Sequence, residues 1–175
     1  NLRANSVRWT EHFSPIATPD SSPLGRIAIP IFDELFGLQG YDLKDLYKTQ
    51  TPKSLIMKNP DYHGSAWYPC STFNSPTLIV VEDLLSAIAL REFGIDSTAL
   101  LGTHLSDAVV EQINDQDYKR VVVALDQDAT AKATTLVVSG ALNNAHLMIL
   151  PKDIKNMTLQ ERVALLEPYR ATTPA

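Results

Sequence analysis

The chain has 175 residues, a length that fits one core with a smaller accessory subdomain. Of these residues, 45% are hydrophobic and 20% are charged, which is typical of a globular protein. It contains no run of about 18 apolar residues, so the sequence excludes an integral membrane protein. The single cysteine, Cys70, excludes an internal disulfide and a cysteine-rich zinc site, and it fits a reducing compartment.

The formal net charge is −5, which does not indicate the basic surface of a typical polyanion-binding protein. Nucleotide chemistry is still compatible with this charge, because metal-dependent enzymes concentrate acids at the metal. The chain begins NLRANSVRWT, without an initiator methionine or the apolar core of a secretory signal. We therefore expect a piece of a longer chain.

The first part of the chain, residues 1–76, is predicted to form a mixed α+β subdomain. Three prolines in the first two dozen residues indicate an irregular arm. The stretch GRIAIPIFDELFGLQGYDL predicts two short strands joined near Glu34 to Gly37, with Pro30 and Gly40 limiting them.

The second part, residues 77–175, alternates between branched apolar runs and amphipathic runs. The apolar runs TLIVVE, STALLG, RVVVAL and AHLMIL predict strands, and the stretches between and after them predict helices. Strands separated by helices of this length are typical of a parallel sheet with right-handed crossovers, so the predicted fold class is α/β. Asp83 is expected to cap the first helix, and Thr158 with Glu161 has the spacing of a capping box.

Acidic residues follow several of these strands. Glu82 ends the first one, and Asp126 and Asp128 follow the third. Because the carboxyl ends of parallel strands meet at one edge of a sheet, we expect these three carboxylates to lie close together, and Asp153, after the last strand, to lie at the same edge. Such a group predicts a site for a divalent cation that prefers oxygen ligands, Mg²⁺ by default or Mn²⁺.

A simpler interpretation exists for each acid alone. A single acid after a strand is more often a helix cap or a solvated turn residue, and an isolated DxD is weak evidence. The combination of a strand-terminal glutamate with a DxD two strands later in an alternating α/β frame is far more specific.

The segments LIVVEDLLSAIAL, ALLGTHLS and RVVVALDQDATAKA resemble the Toprim domain of primases, topoisomerases and some nucleases. Two flanking segments, GRIAIPIFDELFGLQGY and LPKDIKNMTLQERVALL, are most similar to the RNA-polymerase core of bacterial-type and phage replicative primases. The resemblance extends roughly from Leu24 to Leu166. It differs at Asp83, where these primases usually have glycine, and at Asn156, which replaces a second acid.

The resemblance implies roles for individual residues. Glu82 matches a metal ligand or general acid/base, Asp126 and Asp128 match the metal-binding DxD, and Asp153 matches an acid that holds an additional metal. Basic residues facing nucleotide or template are matched by Arg26 and Lys53. Separately, Lys132 lies one turn into the helix after the DxD, where it could meet substrate; an exposed helix lysine is the simpler interpretation.

The function that the resemblance implies is metal-dependent nucleotidyl transfer that makes short RNA primers during DNA replication. The expected partners are a single-stranded DNA template, ribonucleoside triphosphates and a replicative helicase domain or protein, in the cytoplasm of a bacterial or phage-infected cell. The alternatives are a Toprim nuclease or topoisomerase-type domain and a non-catalytic nucleic-acid-binding Toprim module.

Overall fold

The computed structural model describes residues 26–45, 51–69, 75–101, 105–126 and 129–170. The chain divides into two compact units, Asn1–Tyr62 and His63–Ala175. None of the helices in the described segments is both long enough and apolar enough to cross a membrane.

The first unit contains a three-stranded antiparallel sheet. Its strands are β1 (Ile27–Phe32), β2 (Leu38–Lys44) and β3 (Ser54–Lys58), in that spatial order. The two strands predicted around the Glu34–Gly37 turn are confirmed, but Pro30 and Gly40 do not limit them, because Pro30 lies inside β1 and Gly40 inside β2. Strand β3 was not predicted. The regular secondary structure in the described part of this unit consists of strands, without a helix. Its buried apolar side chains are Ile29, Ile31, Tyr41 and Leu43.

The second unit contains a five-stranded, mostly parallel sheet with the order β4-β6-β5-β7-β8. The strands are β4 (Ala66–Tyr68), β5 (Thr77–Val81), β6 (Asp96–Ala99), β7 (Arg120–Val123) and β8 (Ala145–Leu147). The helices are α1 (Leu84–Glu92), α2 (Asp107–Asn114), α3 (Thr130–Val138) and α4 (Leu159–Leu166). Only β4 runs antiparallel to its neighbour in the described sheet. The predicted α/β class and parallel strand pairing are confirmed.

The structure differs from the sequence prediction in the extent of some elements. The segment predicted as a final strand, AHLMIL, pairs only over β8, and α3 ends at Val138, two residues before Gly140 takes a left-handed φ of 69°. Strand β4 was not predicted, because three residues are too few to show a periodic pattern. Since β4 joins the sheet, the compact unit begins at His63, before the predicted boundary at residues 76–77.

The core of the second unit is built on the strands that the sequence indicates as buried. All five residues of β5 are buried, as expected for a central strand covered on both faces. Apolar side chains from the strands and from α2 and α3 form one cluster. Its members include Trp67, Leu78, Val80, Val109, Ile113, Val121, Val123 and Ala133.

Two helix starts carry the caps predicted from the sequence. The Asp83 carboxylate accepts hydrogen bonds from the backbone N–H groups of Leu85 and Ser86 at 3.0 and 3.4 Å, which confirms it as the N-cap of α1. At α4, Thr158 and Glu161 form the reciprocal capping box, and Lys152 Nζ lies 2.8 Å from Glu161 Oε1. The hydrogen bond from Lys152, together with the bonds from Thr158, lowers the pKa of Glu161 from 4.5 to about 2.

This lowered pKa predicts how the stability contributed by Glu161 depends on pH. Because the folded pKa lies below the ordinary 4.5, the contribution of the ionised carboxylate is complete above that value and declines as the pH falls towards 2. We expect Glu161→Gln to unfold at a lower urea concentration than the parent at neutral pH, with a gap that narrows below about pH 4.5. Urea unfolding followed by circular dichroism checks this, and a gap independent of pH would contradict it.

Candidate functional site

The ends of β5 and β7 meet at one edge of the sheet in the second unit. The two strands pair in parallel with Val80 opposite Val123, and the N–H of Ala124 donates to the carbonyl of Val80 at 2.9 Å. Continuing this register places Glu82 level with Leu125, one residue before Asp126. The structure therefore brings Glu82 and Asp126 to the ends of neighbouring strands, at the carboxyl edge where ligands collect in open α/β sheets.

Both of these acids are partly exposed, in contrast to the fully buried strands that lead to them. Val81, before Glu82, is 1% exposed, and Leu125, before Asp126, is 2% exposed. The chain thus passes from the core to the surface within one residue at each strand end. Asp128 lies outside the described residues, so its predicted place in this group stays a prediction.

Asp153 follows β8 and immediately precedes a short 3₁₀ helix, Ile154–Asn156. Its Oδ2 atom lies 3.2 Å from Lys155 Nζ, and the same nitrogen lies 2.9 Å from Asp83 Oδ2. Burial lowers the pKa of Lys155, but the hydrogen bonds and charges of Asp83 and Asp153 outweigh burial and raise it. Lys155 was not predicted from the sequence, because no local pattern relates it to Asp83, 72 residues away.

The donor chemistry of the strand-end acids fits a divalent cation. Carboxylate oxygens are the protein ligands that Mg²⁺ and Mn²⁺ prefer. Within the described ranges, however, no group of three or more histidine, cysteine, aspartate or glutamate side chains is arranged to hold a metal. Glu82, Asp126 and Asp153 therefore do not form such a group by themselves. Glu82 and Asp126 could hold a cation together with a ligand from the segment that contains Asp128.

The three basic residues predicted to contact nucleotide or template occupy different environments. Arg26 is only 2% exposed, and its guanidinium donates to the backbone carbonyls of Leu43 at 3.2 Å and Pro52 at 2.6 Å. Lys53 is exposed, and Lys132 is partly exposed in the first turn of α3. These contacts give Arg26 a role in joining β2 to the turn before β3. Contact of Arg26, Lys53 or Lys132 with substrate remains a prediction.

Comparison with known proteins finds a family similarity within the second unit. Residues 79–158 match the model of the Toprim-like family. These residues contain the last three residues of β5, all of β6 to β8 and both strand-end acids, so the Toprim resemblance predicted from the sequence is confirmed for this part of the chain. No curated protein sequence matches the chain significantly.

Solved structures with a similar fold include catalytic cores of DNA primases. The DnaG primase catalytic domain bound to single-stranded DNA is 21% identical, with a TM-score of 0.64 over 83% of this chain and 50% of that one. The E. coli primase catalytic core is 22% identical, with a TM-score of 0.64 over 83% and 51%. The Aquifex aeolicus primase, with zinc-binding and RNA polymerase domains, is 18% identical, with a TM-score of 0.61 over 90% and 42%.

At these identities the likeness establishes the fold, which is that of a Toprim-containing primase core. The chain spans about half the length of the primase structures that it matches.

The buried guanidinium of Arg26 predicts a loss of stability on substitution. Arg26→Ala removes two charge-assisted hydrogen bonds and leaves the carbonyls of Leu43 and Pro52 without this donor, so we expect it to cost roughly 2 kcal/mol. Lys53→Ala, at an exposed position of the same unit, should change stability by less than about 0.5 kcal/mol. Urea unfolding of both variants tests the difference. Equal stabilities would show that the Arg26 contacts contribute nothing.

Proposed function

From a Toprim-like domain and the fold of a primase core, we propose that this protein is a DNA primase that synthesises short RNA primers on single-stranded DNA. The observation that supports this most is the pairing of β5 with β7, which brings Glu82 and Asp126 to one edge of the Toprim-like domain. In the proposed reaction, a 3′ hydroxyl attacks the α-phosphate of a ribonucleoside triphosphate, forming a phosphodiester bond and releasing pyrophosphate.

The acids at this edge are the proposed catalytic residues. Asp126 and Asp128 would hold the cation that accompanies the triphosphate through their carboxylate oxygens, and Glu82 would either share that cation or accept the proton of the attacking hydroxyl. The bound Mg²⁺ or Mn²⁺ would neutralise charge on the phosphates and lower the pKa of the hydroxyl. The strand ends hold Glu82 and Asp126 in place because the strands that lead to them are buried and paired.

The proposed partners follow from the reaction. One of the similar primase structures contains single-stranded DNA, which supports a single-stranded template as the substrate here. Exposed Lys53 and partly exposed Lys132 are proposed to contact nucleotide or template phosphates. Arg26 is proposed to support the contact made by Lys53, because its guanidinium holds the turn that precedes β3. A replicative helicase domain or protein is the proposed assembly partner, in the cytoplasm of a bacterial or phage-infected cell.

The same acids could activate water in place of a ribose hydroxyl, which would make the domain a nuclease. The two reactions share the cation and differ in the nucleophile. Incubation of supercoiled plasmid with the protein and Mn²⁺ separates them. Primer synthesis without nicking supports the primase, and nicking without primer synthesis supports the nuclease.

Substitutions at the acid edge should abolish the reaction without unfolding the protein. We expect Glu82→Gln, Asp126→Asn and Asp128→Asn each to lower the rate of primer synthesis about a hundredfold or more, because each removes several kcal/mol of transition-state stabilisation. The rate is measured as incorporation of labelled ribonucleotide on a single-stranded template, with and without divalent metal.

A matched control is Asp117→Asn, an exposed acid in the turn before β7 and therefore at the opposite edge of the sheet. It should retain the parent rate. Thermal unfolding in the absence of metal should show the three edge variants no less stable than the parent, because removing one of several neighbouring acids relieves repulsion. An edge variant that retains primer synthesis is not part of the site, and one that melts well below the parent is structural.

A further inference from the structure

A lysine lies between two carboxylates near the acid edge. Lys155 Nζ is 2.9 Å from Asp83 Oδ2 and 3.2 Å from Asp153 Oδ2, and the three side chains are 27%, 16% and 31% exposed. Two carboxylate oxygens within about 6 Å of each other repel, and partial burial reduces the screening of that repulsion. The positive charge of one ammonium group therefore offsets the negative charges of two acids that are distant from each other in the sequence.

The position of Lys155 is determined by the segment that carries it. Its neighbour Ile154 is fully buried, and Met157, at the end of the 3₁₀ helix, is 5% exposed. This helix packs against α1, the helix that Asp83 caps. Lys155 is therefore anchored on both sides along the chain, and its ammonium does not depend on a flexible surface segment for its position.

The carboxylate oxygens that contact Lys155 already have other donors. Asp83 Oδ2 accepts the hydroxyl of Ser86 at 2.8 Å, while its Oδ1 accepts the N–H groups at the start of α1. Asp153 Oδ2 also accepts Asn156 Nδ2 at 3.2 Å. A divalent cation at this pair would have to displace these donors and would be repelled by the ammonium group. The pair is therefore a poor site for a metal while Lys155 is present.

We propose that Lys155 is the resident cation of the Asp83–Asp153 pair and that it keeps Asp153 out of the metal-binding set, which confines divalent metal to the acids after β5 and β7. This inference rests on the proposed function, because it assigns the ligands of that same site. It agrees with the finding that, among the described residues, no three acids are arranged to hold a metal. Lys155 is a positioning residue, since it acts on the metal only through Asp83 and Asp153.

The placement of Asp83 gives this contact a second consequence. Asp83 follows Glu82 directly and begins α1, so the ion pair with Lys155 helps to fix the backbone at the acid that ends β5. It also balances the charge of Asp83, which would otherwise add to the negative charge beside Glu82. The contact with Lys155 thereby gives Asp83 a structural role, whereas its neighbour Glu82 is the proposed metal ligand.

The test counts Mn²⁺ ions bound to the protein with the metal alone, by electron paramagnetic resonance of free Mn²⁺ during titration. We expect Asp153→Asn to leave the Mn²⁺ affinity within twofold of the parent, and Glu82→Gln to weaken it at least tenfold. Lys155→Met exposes the carboxylate pair, so it should bind one additional Mn²⁺. Adding Asp153→Asn to Lys155→Met should remove that ion.

Two controls isolate the role of Lys155. Lys155→Arg should keep the parent Mn²⁺ count, and Lys152→Met, which removes an exposed lysine paired with Glu161, should also keep it. A tenfold loss of affinity in Asp153→Asn, or an unchanged count in Lys155→Met, would overturn the inference. If Lys155→Met does not fold, the Mn²⁺ affinities of the parent and of Asp153→Asn decide whether Asp153 belongs to the metal-binding set.

These outcomes are distinct from failure of the proposed function. Mn²⁺ affinity that is insensitive to Glu82→Gln contradicts the proposed metal site itself. Absence of primer synthesis alongside the expected Mn²⁺ counts contradicts the primase reaction and leaves the role of Lys155 standing.

Discussion

The parallel pairing of β5 with β7 is the interaction on which the candidate site depends. Each strand leads an acid out of the core, but only their hydrogen-bonded register brings the two acids to the same edge of the sheet, one residue apart in level. The strands are separated by two helices and a third strand in sequence. Burial of β5 on both faces makes this register costly to change, because a shift of one residue would turn its buried side chains to the opposite face.

Asp83 shows how one acid beside the site can be committed to structure. Its two oxygens accept hydrogen bonds from the first turn of α1 and from Ser86, and one of them also contacts Lys155. The adjacent Glu82 extends from the end of β5 and lies outside the helix. Glu82 and Asp83 are neighbours in the sequence but have different roles. Asp83 is the N-cap of the helix, where the first backbone N–H groups point, and Glu82 lies at the end of the strand.

The first unit shows that the charge of a residue does not reveal where it lies. Arg26 and Lys53 have the same charge and the same predicted role, yet the guanidinium is buried against backbone carbonyls and the lysine is exposed. A planar guanidinium offers several donors in one plane, which suits it to join two carbonyls from separate segments. Burial of a guanidinium costs little free energy when every buried N–H group has a hydrogen-bond acceptor.

The sequence by itself determined the features that arise from neighbouring residues. Branched apolar runs predicted β5 and β7, the caps at Asp83 and Thr158 were read from spacing, and acids at strand ends indicated one edge. Only the tertiary structure decided the strand order, the recruitment of β4 to the sheet, and the contact of Lys155 with Asp83. Capping and periodicity depend on residues a few positions apart. Sheet order and long-range ion pairs depend instead on which distant segments pack together in the folded state of lowest free energy.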